Sequence, residues 1–344
     1  MSNTNQTTDA MLVTVTIKNS ESIYLPDGDI VLFSLPKNNV ITAFKVDRVF
    51  LRRSSPVFEG MFMLPPSGDV ESYDNVPLVK LQDEADHLTM FLNALYGSRC
   101  IPWEKYNVNA LRTMEGILLL ANKYQIDHLR ELIIGLLERD WPSKLDHWDY
   151  NEVESRAKKR FFELIDEISM PDPCQVIRLA RKCNVPSILP AAFYRLSCIQ
   201  GISYRHLPEP LQEKFSDRIQ KETADFSLLS VEDFCCLLVG RNAMLHVFED
   251  SLNEAFWKAL EYEHPPLASH QCGQGLEHLK YSLRQAVFLF HNDLLSIMNA
   301  ESAVGIEPPQ TCQDCREQLL GLLEESREAF WRRLPSLFML DPKP

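Results

Sequence analysis

The most informative part of the sequence is DGDIVLFSLPKNNVITAFKVDRVFLRRSSPVFEGMFML, residues 27–64. Residues 27–35 place a glycine turn before a run of apolar and β-favouring residues, which predicts a strand buried on both faces. Residues 40–46 predict a second strand, and a helical pattern runs from residue 47 to residue 62. The stretch therefore predicts a small core in which a sheet carries a helix.

The order of these segments carries a family resemblance. The motifs DIVL, FKVDRVFL and SSPVFEGMF follow one another as in the core of a BTB/POZ domain, which they resemble. The similarity continues through a third strand at residues 77–81, a helix at 86–98 that ends in an aromatic corner, and a helical hairpin at 116–137. It covers residues 27–141, and it implies a protein–protein interaction module rather than an enzyme.

Beyond this region the pattern is helical. Residues 142–150 indicate a linker, and long amphipathic runs follow at 231–260 and 276–298, with a loop rich in proline and glycine at 264–275. A closing helix is predicted at 313–333.

The predicted fold class is therefore α+β, with a BTB/POZ fold followed by an all-α C-terminal domain. The expected divisions are a flexible tail at 1–22, a BTB-like domain at 23–142 and a helical domain at 143–344. Residues 11–17 alternate β-formers and predict an extra strand. In BTB relatives such a strand can be exchanged between two subunits, and the alternative is an edge strand on its own sheet.

One internal repeat links the two parts of the chain. The segments ILLLANKYQIDHL, residues 117–129, and VIRLARKCNVPSI, residues 176–188, align without gaps. Ala121 matches Ala180, and Ile126 matches Val185. Because a small alanine lets two helices approach closely, each segment predicts a helical hairpin corner.

Composition bounds the function. The chain has 344 residues, 45% of them hydrophobic, and its 48 acidic against 35 basic residues give a net charge of −13. This charge disfavours direct nucleic-acid binding and favours protein partners. The nine scattered cysteines and the absence of a secretory leader or a long apolar run predict an intracellular protein, cytoplasmic or nuclear, that is not embedded in a membrane. The basic run at 156–160 fits a nuclear-import patch or, more simply, a solvated helix face.

The resemblance implies a homodimer and a pocket beside its interface. In BTB relatives an acid and a base meet in that pocket, which implies an ion pair of Asp29 with Arg48; the alternative is two exposed charges that never meet. The residue before this arginine is usually histidine in the family, whereas here it is Asp47. The expected dimer-interface residues are Asp29, Arg48, Val49, Leu51, Phe58, Met61 and Phe62.

A second implication concerns cullin-type ubiquitin ligases, for which many BTB proteins are substrate adaptors. Those adaptors often carry a hydrophobic-x-Glu signature early in the helix that precedes the Tyr96 corner. Here the position holds Leu88, Thr89 and Met90, and the absence of the glutamate weakens the support for an adaptor function without excluding it. The expected cullin-facing residues would be Leu88, Met90 and Tyr96.

A structural zinc site is a further hypothesis. Cys312 and Cys315 have the Cys-x-x-Cys spacing at which two thiolates from one turn reach a single tetrahedral ion. His270 and Cys272, in the loop rich in proline and glycine, would complete four ligands. The alternative is that Cys312 and Cys315 are free thiols at a helix start.

Catalysis is the least supported function class. The sequence holds no glycine-rich phosphate loop, no G-x-S-x-G elbow and no H-E-x-x-H motif, and it shows no kelch, ankyrin or zinc-finger array. The C-terminal order of Cys-x-x-Cys, helix and F-W-x-x-L-P resembles that of fungal, mostly mushroom-type, BTB proteins. The predicted function is a scaffold or adaptor that self-associates and recruits another protein, without a cofactor other than the hypothetical zinc.

Overall fold

The computed structural model describes residues 15–64, 71–97, 108–161, 171–199, 201–202, 223–261, 269–289, 293–299 and 311–340. The chain divides into two compact units. The first comprises Met1–Glu104 and Asn109–Gly135, and the second comprises Lys105–Val108 and Leu136–Pro344. Of the flexible tail expected at 1–22, residues 1–14 lie outside the described residues, and so do the basic side chains at 156–160.

The N-terminal unit is built on a five-stranded mixed sheet. Its strands lie in the order β1-β3-β2-β5-β4, with β2 antiparallel to β3 and parallel to β5. The bounds are β1 Thr16–Tyr24, β2 Ile30–Phe33, β3 Val40–Val46, β4 Ser72–Tyr73 and β5 Val76–Lys80. All four residues of the central strand β2 are buried, which is the pattern expected of a strand covered on both faces.

Strand β1 forms one edge of this sheet. It pairs in parallel with β3 of the same chain, with Thr16 opposite Val40. The extra strand was expected at 11–17, but the described strand begins at Thr16 and continues to Tyr24. Residues 11–14 lie outside the described part of the chain.

Five helices accompany the sheet. They are α1 Arg48–Ser54, α2 Pro56–Met63, α3 Ala85–Leu95, α4 Val108–Lys123 and α5 Asp127–Asp140. The single helical pattern predicted over 47–62 is in fact two helices that break at Ser55. Its extended backbone ends α1, and its hydroxyl accepts the Phe58 N–H at 3.1 Å to cap α2, whose first residue is Pro56.

The C-terminal unit is dominated by helices, which confirms the predicted α+β fold class. These are α6 Leu145–Phe161, α7 Pro173–Cys183, α8 Leu189–Cys198, α9 Val231–Leu260, α10 Ser269–Leu289, α11 Leu294–Met298 and α12 Gln313–Leu337. A short parallel pair, β6 Gly201–Ile202 with β7 Thr223–Ala224, lies before α9. Within the described residues, no helix is long and apolar enough to span a membrane.

Two local expectations for this unit were wrong, and the end of a third element differs. The linker expected at 142–150 is helical from Leu145, and the loop expected at 264–275 is helical from Ser269, where α10 begins. The closing helix runs past residue 333 to Leu337 and contains Pro335.

The internal repeat has the same geometry in both copies. In the first, Gln125 adopts a left-handed conformation (φ 53°) and the Ile126 N–H bonds the Ala121 carbonyl at 2.9 Å. In the second, Asn184 has the same φ and the Val185 N–H bonds the Ala180 carbonyl at 2.8 Å. Both are helix ends closed by a left-handed residue followed by a buried aliphatic one, so the sequence match marks one corner used twice.

The core of the C-terminal unit lies between α9 and α12, which pack along each other. At Gly240 the buried ring of Phe338, directly after α12, occupies the space where a side chain would stand. The Phe338 ring also stacks on Phe193 of α8, with centroids 5.3 Å apart. Farther along α12 the buried guanidinium of Arg327 pairs with Asp149 of α6, with Nη1 at 2.7 Å from Oδ2.

Candidate functional site

The start of α1 is held by two side chains from elsewhere in the N-terminal unit. The Asp29 carboxylate accepts the Arg48 backbone N–H at 2.6 Å, and the Tyr96 hydroxyl accepts the Asp47 N–H at 3.0 Å. The Asp47 side chain itself makes no cap hydrogen bond. Asp29 and Tyr96 thus satisfy N–H groups that a helix start leaves without a partner. Burial raises the pKa of Tyr96 to about 12, and the negative charges of Asp47 and Asp29 act in the same direction. The hydrogen bond from the Asp47 backbone N–H acts in the opposite direction and is outweighed.

The expected ion pair between Asp29 and Arg48 is replaced by a different arrangement. Asp29 binds the backbone of Arg48, whereas the Arg48 guanidinium donates through Nη2 to the Phe62 carbonyl at 2.7 Å and lies 5.3 Å from the centre of the Phe62 ring. A cation near the last carbonyls of a helix is favourable, so Arg48 joins the start of α1 to the end of α2. The carboxylate and the guanidinium therefore have separate structural roles.

Beside this junction lies an exposed apolar group. Val49 and Phe50 follow Arg48 on α1, and Met63 and Leu64 follow Phe62 at the end of α2; their exposed fractions are 54%, 36%, 63% and 72%. We call Val49, Phe50, Met63 and Leu64 the α1–α2 face. The Phe50 ring lies 4.5 Å from that of Tyr96, which supports the face from behind.

Behind the α1–α2 face, α2 is joined to Tyr124, directly after α4, by buried contacts. The Ser55 hydroxyl donates to the Tyr124 carbonyl at 2.5 Å, and the Phe58 ring stacks on the Tyr124 ring at 4.3 Å. The Tyr124 hydroxyl in turn donates to Asp83, which also binds Lys123 at 2.6 Å. Burial, with the Asp83 hydrogen bond and charge, raises the pKa of Tyr124 far above its usual value. Helix α2 is thereby fixed to α4.

Burial corrects part of the expected interface. Leu51 and Phe58 are completely buried in the core of their own unit, so neither presents surface to a partner. Met61 and Phe62 are half-buried, and Asp29 is exposed. The expected interface did not include Met63 and Leu64, although the sequence shows these two large apolar residues directly after FEGMF.

The expected cullin-facing residues are also largely internal. Leu88 is fully buried, and Met90 packs over Gly116, where an added Cβ would meet its sulfur at 3.1 Å. Tyr96 is half-buried and serves the start of α1. These three side chains stabilise the unit and offer little surface for a cullin.

Comparison with known families bears on this unit directly. Residues 39–140 match the model of the BTB/POZ domain. The searches of curated proteins and of solved structures found no match to the chain. The match lies within the stretch for which the sequence resemblance was drawn, residues 27–141. The BTB/POZ domain is a non-enzymatic protein–protein interaction module, so the N-terminal unit is assigned to interaction. The fungal resemblance of the whole chain stays a prediction.

A second exposed apolar surface lies outside the BTB domain, on α9. The helix buries one face against its neighbours and leaves Val231, Phe234, Leu238 and Leu245 exposed. Their spacing alternates three and four residues and then seven, so all four lie on one side of the helix. We call these four residues the α9 stripe. The heptad-like spacing was visible in the sequence, but only the fold shows that this side of α9 is the one turned to solvent.

The structure brings three cysteines together. The sulfur atoms of Cys272, Cys312 and Cys315 all lie within 4.8 Å of one another. Cys272 lies in the first turn of α10, Cys312 is the N-cap residue of α12 and Cys315 lies in its first turn. His270 is the second residue of α10, but its side chain lies outside the described residues. The sequence hypothesis thus gains three of its four members in one cluster.

The three thiols differ in exposure. Cys272 and Cys315 are 2% and 0% exposed, and Cys312 is half-buried. The Cys312 N–H donates to the Cys272 sulfur at 3.4 Å. The hydrogen bond from the Cys315 N–H holds the pKa of Cys312 below its usual value, whereas burial raises the pKa of Cys315 to about 12.

Proposed function

We propose that this chain is a non-enzymatic interaction protein that self-associates through its BTB domain and recruits another protein through its helical C-terminal unit. The observation that carries the proposal is the α1–α2 face, an apolar surface on a domain whose family mediates protein–protein contacts. The proposed localisation is cytoplasmic or nuclear.

The α1–α2 face suits a homodimer on energetic grounds. Burying a large apolar side chain contributes about 1.5–3 kcal/mol, so four of them exposed together leave a substantial gain for an interface. A twofold interface uses the same patch on both subunits, and an apolar patch is complementary to its own copy because it needs no opposite charge. The α1–α2 face is the centre of that proposed interface, with Arg48, Phe62 and Met61 at its border.

Recruitment of another protein is assigned to the α9 stripe. A helix with one apolar side against its own core and a second apolar side in solvent has the pattern by which helices dock to partner grooves or helices. The partner would present a complementary apolar surface. This part of the proposal does not depend on the BTB dimer.

The cullin-adaptor alternative has weaker support than a scaffold that acts independently of ubiquitin ligases. The family signature lacks its glutamate, Leu88 is buried and Met90 is packed over Gly116. Co-purification of a cullin with the chain, abolished by Met90→Lys, would favour the adaptor function instead.

Self-association is tested on the full-length chain by sedimentation velocity. We expect a dimer at tens of micromolar for the wild type and a monomer for Val49→Lys and Met63→Lys, because either lysine would bury a charge at the interface. Leu132→Lys is the matched control, since Leu132 of the same unit is 53% exposed, almost as Val49 is, but lies outside the α1–α2 face. A monomeric wild type, or face variants that stay dimeric, would contradict the proposal.

The α9 stripe is tested by affinity purification with paired variants. Proteins recovered with wild type should be lost with Leu238→Lys and kept with Val239→Lys, because the neighbouring Val239 is also exposed but points to another side of α9. Recovery that is indifferent to Leu238→Lys would refute a docking role for the stripe. The dimer should form in both variants, which separates the two halves of the proposal.

A further inference from the structure

We propose that Cys272, Cys312 and Cys315 form a thiolate centre for Zn²⁺ that fastens the start of α12 to the start of α10. The proposal concerns the stability of the C-terminal unit and is independent of self-association through the BTB domain. It rests on the geometry of three described side chains from two separate segments.

The size of the cluster fits the ion. Zinc binds thiolate sulfur at about 2.3 Å in a tetrahedral arrangement, which places neighbouring sulfurs about 3.8 Å apart. The three sulfurs already lie within 4.8 Å of one another. Rotating the cysteine side chains would have to move the sulfur atoms toward one another by up to about 1 Å to place all three around a common ion. Such a shift does not require the helix backbones to move.

The donor set selects the metal. Three sulfur ligands are soft, and among common divalent ions they favour zinc over magnesium or calcium, which prefer oxygen. Binding converts each thiol to a thiolate and releases three protons to solvent, with no change of oxidation state. No co-reactant is therefore required.

A dithiol–disulfide function of Cys312 and Cys315 explains less of the arrangement. Such a pair requires only two sulfurs, whereas here a third sulfur, from Cys272 in a distant segment, also lies within 4.8 Å of both. Cys315 is also completely buried. The third thiol is accounted for by a metal ion and has no part in a Cys-x-x-Cys redox pair.

Zinc at this position would have a defined mechanical role. Both α10 and α12 pack on α9, and α12 carries the buried Arg327, Phe330 and Trp331 that hold the unit together. A metal ion bound by the first turns of α10 and α12 would fix the position of these two helices relative to each other at their N-terminal ends. The fourth ligand predicted from the sequence, His270, is the second residue of the helix that carries Cys272, and the proposal rests on the three thiolates alone.

The test uses the full-length protein, stripped of metal under reducing conditions and titrated with Co²⁺ and then Zn²⁺. We expect about one equivalent of Co²⁺ to bind, with the sulfur-to-cobalt charge-transfer absorption that thiolate ligands produce, and Zn²⁺ to displace it. Cys272→Ser should weaken binding by at least about tenfold and reduce this absorption. Cys235→Ser is the matched control, because Cys235 is an exposed cysteine on α9 outside the cluster.

Two measurements on the wild type keep the test independent of how well the variants fold. Metal analysis of the purified protein should find about one zinc per chain, and a chelator should lower the melting temperature of the C-terminal unit while the BTB domain stays folded. Less than about a tenth of an equivalent of zinc without Co²⁺ binding, Co²⁺ binding unchanged by Cys272→Ser, or a Cys312–Cys315 disulfide in the native protein would each overturn the proposal.

Discussion

Gly240→Ala is expected to destabilise the C-terminal unit far more than a substitution of glycine by alanine in a helix ordinarily does. A Cβ added at Gly240 would lie 2.0 Å from Cδ1 and 2.3 Å from Cε1 of Phe338. Carbon atoms in favourable contact are about 3.5–4.0 Å apart, so α9 and the Phe338 ring would have to separate by about 1.5 Å. The ring is fully buried and stacked on Phe193, which leaves it no free space.

The magnitude follows from what must give way. Complete loss of a buried Phe side chain costs about 3–5 kcal/mol of stability. Displacing the Phe338 ring would lose much of this packing energy. Alanine returns about 1 kcal/mol through its higher helix propensity. The net loss is therefore about 2–4 kcal/mol, which for a unit of this size corresponds to a fall of about 5–15 °C in melting temperature.

The control is Gly321→Ala on α12. Nothing lies within 4 Å of a Cβ added there, so only the propensity term acts and the variant should gain about 0.5–1 kcal/mol. Urea denaturation followed by circular dichroism, alongside thermal melting, measures both variants. Opposite signs for the two substitutions are the expected result.

The double variant Gly240→Ala/Phe338→Ala isolates the cause. Once the ring is gone, adding the Gly240 methyl should cost nothing or stabilise slightly, although Phe338→Ala is itself destabilising. If Gly240→Ala is as stable as the wild type, or if its cost persists without the Phe338 ring, the close approach of α9 and α12 is not the reason for glycine at this position.

Two further predictions concern buried polar groups. Arg327→Ala should cost about 2–3 kcal/mol, because it removes a buried guanidinium that pairs with Asp149 and donates to the Leu295 carbonyl at 2.9 Å. Arg332→Ala on the same helix, which breaks an exposed pair with Glu328, should cost less than about 1 kcal/mol. Equal losses in urea denaturation would contradict the difference in burial. The BTB domain should lose stability above about pH 10. The folded-state pKa values of Tyr96, about 12, and of Tyr124 lie above the ordinary value of 10. The contribution of these two groups to stability is therefore complete below pH 10 and declines as the pH rises through the folded-state values. Denaturation at a series of alkaline pH values measures this, and the slope should be smaller in Tyr124→Phe; an unchanged slope in that variant would remove Tyr124 from the explanation.

Local sequence patterns were sufficient to predict several strands and helices. Strand β3 lies at the predicted residues 40–46 and α9 at the predicted residues 231–260, because alternating and helical apolar patterns encode which backbone geometry buries them. The repeated corner was also recognisable, since the left-handed Gln125 and Asn184 precede an aliphatic residue in each copy. Residues 27–141 resembled the domain that the family model matches at 39–140.

The contacts between distant side chains and their exposure to solvent could not be read from such local patterns. The apolar residues of FEGMFML look alike in sequence, yet Phe58 is completely buried and Leu64 is 72% exposed, because Tyr124, directly after α4, covers the Phe58 side of α2. Asp29 binds the backbone of Arg48 rather than its guanidinium, which is bonded to the Phe62 carbonyl at the end of α2. Cys272 joins Cys312 and Cys315 only because α10 and α12 pack on the same helix. Local patterns constrain the backbone through its periodicity, whereas such distant contacts depend on how the packed helices and strands are arranged, which no short stretch of sequence specifies.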